Sequence, residues 1–253
     1  MGSFKCLLRI CVFPLLLICL MVFHACKLDD SVVLDSGDIN WTLLGRDDFN
    51  RNDTSFDGSN SELGSDWHAF ADIPDDANSM IQITGQRVEA RGDSGADWKT
   101  KTNSSIVKLK IELTTADVSS LNTSSGDLSN TFGFYDEQYN IDEGGCPYDT
   151  GVGLHSGVYH TYIAKRISTA PGFEELGGEI VTFEANTTYG FEFIINDGSL
   201  SFELTDATGD TISKITADGD SCTFVQPGFS MKYVDDVSFY FDNFEGYTGE
   251  TAN

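Results

Sequence analysis

From Trp41 onward the apolar residues recur with a period of two. Val107, Leu109, Ile111 and Leu113 alternate with Lys108, Lys110 and Glu112. Tyr189, Phe191, Phe193 and Ile195 alternate with Gly190, Glu192 and Ile194, and Leu200, Phe202 and Leu204 resume the pattern after Asn196-Asp197-Gly198. Successive side chains of a strand point to opposite faces, so these segments predict a hairpin with one apolar face, closed by an Asp-Gly turn. Val237, Phe239 and Phe241 repeat the alternation near the end. Further strands are predicted at 80–84, 87–90, 98–102, 131–135, 158–165, 179–183, 211–215 and 222–225. No segment sustains apolar residues at i, i+3 and i+4 over three turns; the best helical stretch, 171–176, is a single turn. Roughly a dozen short strands with turn residues between them predict an all-β fold, a two-sheet antiparallel sandwich. The 25 glycines and 5 prolines agree with that reading.

The first residues follow a different pattern. Lys5 and Arg9 precede fourteen uncharged residues, 10–23. A membrane span needs about 20 apolar residues, so this run predicts a secretory leader. It ends His24-Ala25-Cys26 and continues Lys27-Leu28-Asp29-Asp30. The first triplet resembles a bacterial lipoprotein signal, in which the cysteine is lipidated and becomes the new terminus. The acidic pair that follows resembles the surface-export signal of Bacteroidetes lipoproteins. The alternative is an ordinary cleaved leader with Cys26 beside the cut. The chain therefore divides into a leader at 1–25, a lipidated cysteine and tether at 26–40, and one sandwich domain at 41–250.

Charge narrows the function. There are 40 acidic residues against 15 basic ones, a formal charge of −25. Phosphate contacts need a basic patch, so nucleic-acid binding is excluded as a class. Attachment to anionic lipid by charge is excluded as well, which leaves the N-terminal lipid as the expected membrane contact. Removing the leader deepens the charge to about −27. Cys6, Cys11 and Cys19 leave with it. Lipidation of Cys26 then leaves Cys146 and Cys222 as one pair able to bridge in an oxidising compartment; the alternative is two free loop thiols. Sequons at Asn40, Asn52, Asn103, Asn122 and Asn186 would be used only in a eukaryotic source.

The segments Asp47-Asp48-Phe49-Asn50-Arg51, Gly64-Ser65-Asp66-Trp67 and Phe241-Asp242-Asn243-Phe244 resemble the opening and closing motifs of the concanavalin A-like lectin/glucanase superfamily. The resemblance covers Trp41 to about Tyr247 and implies a jelly roll whose first and last strands lie side by side. It also implies a second, curved sheet whose concave face binds carbohydrate, and a structural calcium near the termini. Calcium takes six to eight oxygens, and Asp48, Asn50 and Asp242 offer them if the end strands pair.

Sugars are held by aromatic platforms and by side chains that hydrogen-bond hydroxyls. Strand alternation assigns Tyr135 to the outer side of 131–135, and His160 with Tyr162 to one side of 158–165. Trp98 and His68 are expected at strand edges, forming a rim, whereas Trp67 belongs to the core if the opening motif holds. The stretch 137–157 is expected to be a loop that walls the groove. A glucanase would carry Glu-x-Asp-x-(x)-Glu on one strand, which places alternate carboxylates on one face. No such run occurs; Glu174-Glu175-Leu176-Gly177-Gly178-Glu179 lacks the central aspartate. The sequence thus points to an exported, surface-anchored glycan-binding lipoprotein without catalytic residues. The alternatives are a glycoside hydrolase or lyase with an atypical carboxylate site, and a structural or adhesive surface protein.

Overall fold

The computed structural model describes residues 39–52, 54–56, 58–64, 66–71, 81–90, 94–98, 102–115, 131–134, 146–155, 158–168, 171–222, 225–232 and 239–252. The leader, Cys26 and residues 27–38 of the expected tether lie outside these residues, as does Tyr135, whereas Ile39 and Asn40, expected in the tether, already belong to the first strand. Sixteen strands occur among them: β1 Ile39–Asp47, β2 Thr54–Ser55, β3 Trp67–Ala71, β4 Ile81–Thr84, β5 Arg87–Ala90, β6 Ser94–Trp98, β7 Ile106–Thr115 and β8 Thr131–Phe134, followed by β9 Tyr148–His155, β10 Val158–Ser168, β11 Pro171–Val181, β12 Thr188–Asn196, β13 Ser199–Thr205, β14 Thr211–Asp218, β15 Gly228–Lys232 and β16 Phe239–Thr251.

The strands form two antiparallel sheets. One has nine strands in the order β14-β13-β12-β7-β16-β5-β4-β2, with β1 also on β16. The other has seven, β11-β10-β9-β8-β15-β6-β3. The end strands meet as expected: Ile39 to Asp47 pairs with Thr251 to Phe244. The alternation along β7 becomes burial, with Val107, Leu109, Ile111 and Leu113 inside and Lys108, Lys110 and Glu112 outward. The predicted hairpin joins β12 to β13, with Asp197 at φ 47° and Gly198 at φ 94°. Positive φ at both central residues is the type I′ geometry that matches strand twist.

Between the sheets lies an aromatic core. Trp67 and Trp98 come from the seven-stranded sheet and Phe244 from the nine-stranded one, with ring centroids 5.1 Å and 5.3 Å from Phe244. Phe229 joins them, 5.5 Å from Trp67 and 4.7 Å from Phe241. Phe49 and Phe56, both fully buried, complete the cluster.

Four expectations are corrected. Residues 171–176 are not a helical turn: they begin β11, which pairs with β10 from Pro171 to Val181. The register shifts between Ile163 and Ala164, so Leu176 is the extra residue of a bulge. A bulge breaks the period of two, and it leaves Phe173 and Leu176 three apart, which imitates a helix. The strand expected at 98–102 instead ends at Trp98, and Thr102 makes only an isolated bridge with Val225. That bridge is also all that is described of the strand expected at 222–225. Finally, 148–155 is strand rather than loop, and it occupies an interior position in its sheet.

Candidate functional site

The seven-stranded sheet has an inner and an outer face, and alternation identifies them. Trp67, Ala69, Ala96, Trp98, Phe229, Thr150, Val152 and Ile163 are buried. Thr161 also faces inward, bonding Ser213 Oγ at 2.8 Å across the sandwich. The intervening residues His68, Asp97, Asp149, Gly151, Gly153, His160 and Tyr162 therefore lie on the side away from this core; His68, His160 and Tyr162 are partly exposed there, while Asp97, Asp149, Gly151 and Gly153 are buried. Tyr159 faces inward with Thr161 and packs on Phe183 at 5.4 Å; burial pushes its hydroxyl up to about 12.

On β10 the rings of His160 and Tyr162 stand 6.1 Å apart. Their cross-strand neighbours on β9 are Gly153 and Gly151, and on β11 Tyr162 meets Gly178. None of these three positions carries a side chain; Gly151 and Gly153 are buried, and Glu175 Oε1 occupies the space over Gly178, 2.6 Å from where a Cβ would lie. His160 Nε2 lies 3.9 Å from Glu175 Oε2. This combination of imidazole, phenol and carboxylate provides apolar ring surface and hydrogen-bonding groups side by side, as hydroxyl-rich ligands require.

The expected ligand residues do not form one cluster. His68 lies on β3, five strand spacings from β10, roughly 24 Å away. Its Nδ1 is 3.2 Å from Oδ1 of Asp97, whose side chain has no exposed surface. Trp98 is no rim residue: it is 3% exposed and packs among Trp67, Phe244, Gly45 and Gly246. Its neighbour Asp97 lies with Gly95 on the opposite side of the strand, and its side chain is buried there. Only the strand's true position, four residues earlier than expected, makes that visible.

The opening motif owes its geometry to Asp47 rather than to Asp48. The buried Asp47 carboxylate accepts from the Phe49 amide at 2.8 Å, from both Arg51 guanidinium nitrogens at 2.6 and 2.8 Å, and from Trp67 Nε1 at 2.7 Å. Asp48 and Asn50 are exposed, and the Asn50 amide donates to Asp48 Oδ1 at 3.0 Å. Asp242 accepts from the Asn243 amide at 2.8 Å. Burial, with the charges of Glu112 and Asp48, holds the Asp242 carboxyl above the usual range, outweighing the Asn243 amide and Arg87. The donor set is carboxylate and amide oxygen, the chemistry of a hard cation. No three His, Cys, Asp or Glu side chains among the described residues converge on one point.

A groove of about 530 Å³ lies on the outer face of the nine-stranded sheet, lined by Lys110, Glu112, Glu192, Glu203, Asn243 and Glu245 among others. Glu192 and Glu203 are direct cross-strand partners. Each meets a lysine at 2.9 Å, Lys110 and Lys214 respectively. Although burial raises the Glu203 carboxyl, bonds from Thr211 and Lys214 bring it below the ordinary value. Beyond this groove the Lys108 ammonium lies 4.5 Å and 4.6 Å from the centroids of Trp41 and Tyr247.

Cys146 and Cys222 form a disulfide across 76 residues. Tyr148 and Lys165 both bond Asp220 beside it, which ties the ends of β9 and β10 to the 219–222 loop.

Neither a protein-family profile nor a curated protein matches the amino-acid sequence. Similarity appears at the level of structure. β-Agarase B from Zobellia galactanivorans superposes with a TM-score of 0.52 at 8% identity, covering 85% of this chain and 95% of that one. Rv0315, a pseudo β-1,3-glucanase of Mycobacterium tuberculosis, gives 0.51 at 11% identity over 82% and 99%. The exoplasmic/lumenal domain of VIP36, in its Ca²⁺/Man3GlcNAc-bound form, gives 0.51 at 8% over 74% and 85%. Together with the two stacked sheets and the paired end strands, this likeness establishes the fold: the chain is a jelly-roll β-sandwich.

Proposed function

We propose that this chain is an exported carbohydrate-binding protein, anchored through a lipidated Cys26, that holds glycan without cleaving it on the outer face of the seven-stranded sheet. The observation that carries the reading is the His160–Tyr162 pair standing beside Gly151, Gly153 and Gly178. The names of the structural neighbours, a β-agarase, a pseudo β-1,3-glucanase and the VIP36 exoplasmic/lumenal domain with bound Man3GlcNAc, support a carbohydrate ligand. The Cys146–Cys222 bond supports an oxidising compartment.

Carboxylate spacing supports binding over hydrolysis. Retaining glycosidases hold two carboxyls about 5–5.5 Å apart and inverting ones about 6.5–9.5 Å. On this face Asp97 and Asp149 are three strand spacings apart, roughly 14 Å, while Asp149 and Glu175 are two apart, roughly 10 Å. Glu192 and Glu203 on the opposite sheet are direct cross-strand partners, but each is paired with a lysine, and bonds from Thr211 and Lys214 hold the Glu203 carboxyl below its ordinary value, the opposite of what a general acid requires.

The test is a glycan array probed with wild type, Tyr162→Ala and His160→Ala, each with calcium and with chelator. Binding by wild type that falls about tenfold or more in both variants is the expected result; no binding to any glycan overturns the proposal. Asp48, Asn50 and Asp242 are the proposed ligands of a structural calcium. Chelation that leaves binding and thermal midpoint unchanged removes that part alone.

A further inference from the structure

We infer that one corner of the nine-stranded sheet rests on the membrane that carries the chain, through Trp41, Leu43, Ile106 and Tyr247 around Lys108. The occupant of this corner is a bilayer surface of neutral headgroups. The inference rests on the reading that Cys26 is lipidated, and it adds which face of the domain lies against the lipid.

Alternation assigns these side chains to one surface. Val107 and Leu109 are buried, so Ile106 and Lys108 of β7 project from the opposite side. In the antiparallel register Lys108 meets Tyr247 of β16, and Tyr247 meets Leu43 of β1. Trp41 pairs with Gly249, where a Cβ would lie 2.5 Å from Ile39 and Ile106 and 3.1 Å from Trp41. Glycine there lets three apolar side chains close over the backbone as one patch. Leu43 is 36% exposed, and Ile39, Trp41, Ile106, Lys108 and Tyr247 are each partly exposed. A contiguous apolar patch on an outer sheet face, in a chain of formal charge −25, marks a contact surface.

The chemistry of the patch identifies its partner. Tryptophan and tyrosine collect at membrane–water interfaces, where one ring meets both hydrocarbon and headgroup. The Lys108 ammonium lies 4.5 Å from the Trp41 ring centroid and 4.6 Å from that of Tyr247, so the charge is held against two rings while its stem adds apolar surface. Tyr247 donates to Glu245 Oε2 at 2.6 Å, which sets a polar row directly beside the apolar one. The excess of acidic residues opposes an anionic surface, so the matching headgroups are zwitterionic.

The patch also stands where the chain leaves its anchor. Ile39 belongs to it, and twelve residues, 27–38, separate Ile39 from Cys26. A flexible linker of that length spans roughly 20 Å and gives an effective concentration on the order of millimolar, so a patch of weak intrinsic affinity stays down once the lipid is inserted. The two sheets turn their outer faces in opposite directions, and this contact therefore points His160 and Tyr162 away from the bilayer.

The test uses Trp41 as its own reporter. The chain has three tryptophans, and Trp67 and Trp98 are 0% and 3% exposed, so a lipid-borne quencher reaches Trp41 alone. The full mature chain is coupled through its Cys26 thiol to a maleimide lipid in phosphatidylcholine vesicles with brominated acyl chains. Emission should fall by roughly a third relative to unbrominated vesicles, Trp41→Phe should abolish the fall, and Leu43→Asp, at an exposed position, should at least halve it. Phosphatidylglycerol vesicles should give a smaller fall at low salt. An unquenched wild-type chain, or stronger quenching on phosphatidylglycerol, would overturn the inference and leave the anchor reading intact. A doubled mass by light scattering that returns to one chain in Leu43→Asp would overturn it as well, because a second copy then covers the patch. Mass spectrometry of the chain taken from the membranes of its producing cells tests the anchor itself, and an unlipidated Cys26 would overturn both.

Discussion

Replacing Asp47 with alanine should be among the most damaging single changes in this protein. The carboxylate has no exposed surface and accepts four hydrogen bonds, two from Arg51 and one each from Phe49 and Trp67. Alanine removes every acceptor at once. It leaves the Trp67 indole N–H buried without a partner and the Arg51 guanidinium, 27% exposed, without its counter-ion. Removing one member of a buried ion pair costs about 3–5 kcal/mol, because the remaining charge is desolvated and uncompensated. In a body of this size each kcal/mol moves the thermal midpoint by about 2–4 °C, so the midpoint should fall by roughly 6–20 °C. Trp67 reports directly: its fluorescence should shift and its near-ultraviolet circular dichroism weaken before global unfolding. Asp47→Asn keeps the shape and one acceptor and should cost about half as much. A cycle combining Asp47→Asn with Arg51→Met should return a coupling of about 1.5–3 kcal/mol, the range for hydrogen bonds to charged groups. A loss below about 1 kcal/mol in Asp47→Ala, with unchanged Trp67 spectra, would refute the view that this carboxylate organises the turn after β1.

Two further outcomes follow from the same physical reasoning. Opening the Cys146–Cys222 bond, which closes a span of 76 residues, should lower stability by about 4–5 kcal/mol on the chain-entropy account; equilibrium denaturation of Cys146→Ser/Cys222→Ser measures it, and an unchanged midpoint would contradict the bond. Asp242 has a carboxyl raised in the folded state, so the native protein binds its proton more tightly than the unfolded chain, and stability is lost as pH rises from the unfolded value through the folded one. Asp242→Asn should therefore stabilise the calcium-free protein at pH 7 and make no difference well below pH 4, as read from denaturation midpoints across pH.

The sequence and the structure agree where side-chain alternation is strict and disagree where the chain uses a different device. The β7, β12 and β13 strands were legible because Val107 to Leu113, Tyr189 to Phe193 and Leu200 to Leu204 place an apolar residue at every second position. The pairing of β1 with β16 was legible from short terminal motifs, although their physical centre, Asp47, was hidden behind the more obvious oxygen donors Asp48 and Asn50. Strand β11 was misread because a bulge at Leu176 replaces the period of two with a spacing of three. Strand β9 was missed for the reason that gives it importance. Its positions away from the core run Asp149, Gly151, Gly153, so the residues that would mark it as amphipathic are absent, and glycine in a sequence signals a turn before it signals a strand.

That last failure bears on function. A binding face made of strand backbone leaves little trace in the sequence, because the informative positions are the ones with no side chain. His160 and Tyr162 could be found from alternation alone, since both sit on a strand that alternates. Asp97 could not, since it lies inside a segment whose strand begins at Ser94 rather than at Trp98 and whose best-marked residue, Trp98, is core. The glycine positions beside the His160 and Tyr162 rings acquire meaning only when β9, β10 and β11 are set side by side. Enlarging one of them is therefore an informative perturbation. Gly151→Leu adds a side chain at a buried position of an interior strand, on the side away from the Trp67–Phe244 core, so it should cost about 1–3 kcal/mol through overpacking and block glycan binding in the variant that still folds. Unimpaired binding in a folded Gly151→Leu variant would mean that the ligand does not cross this sheet.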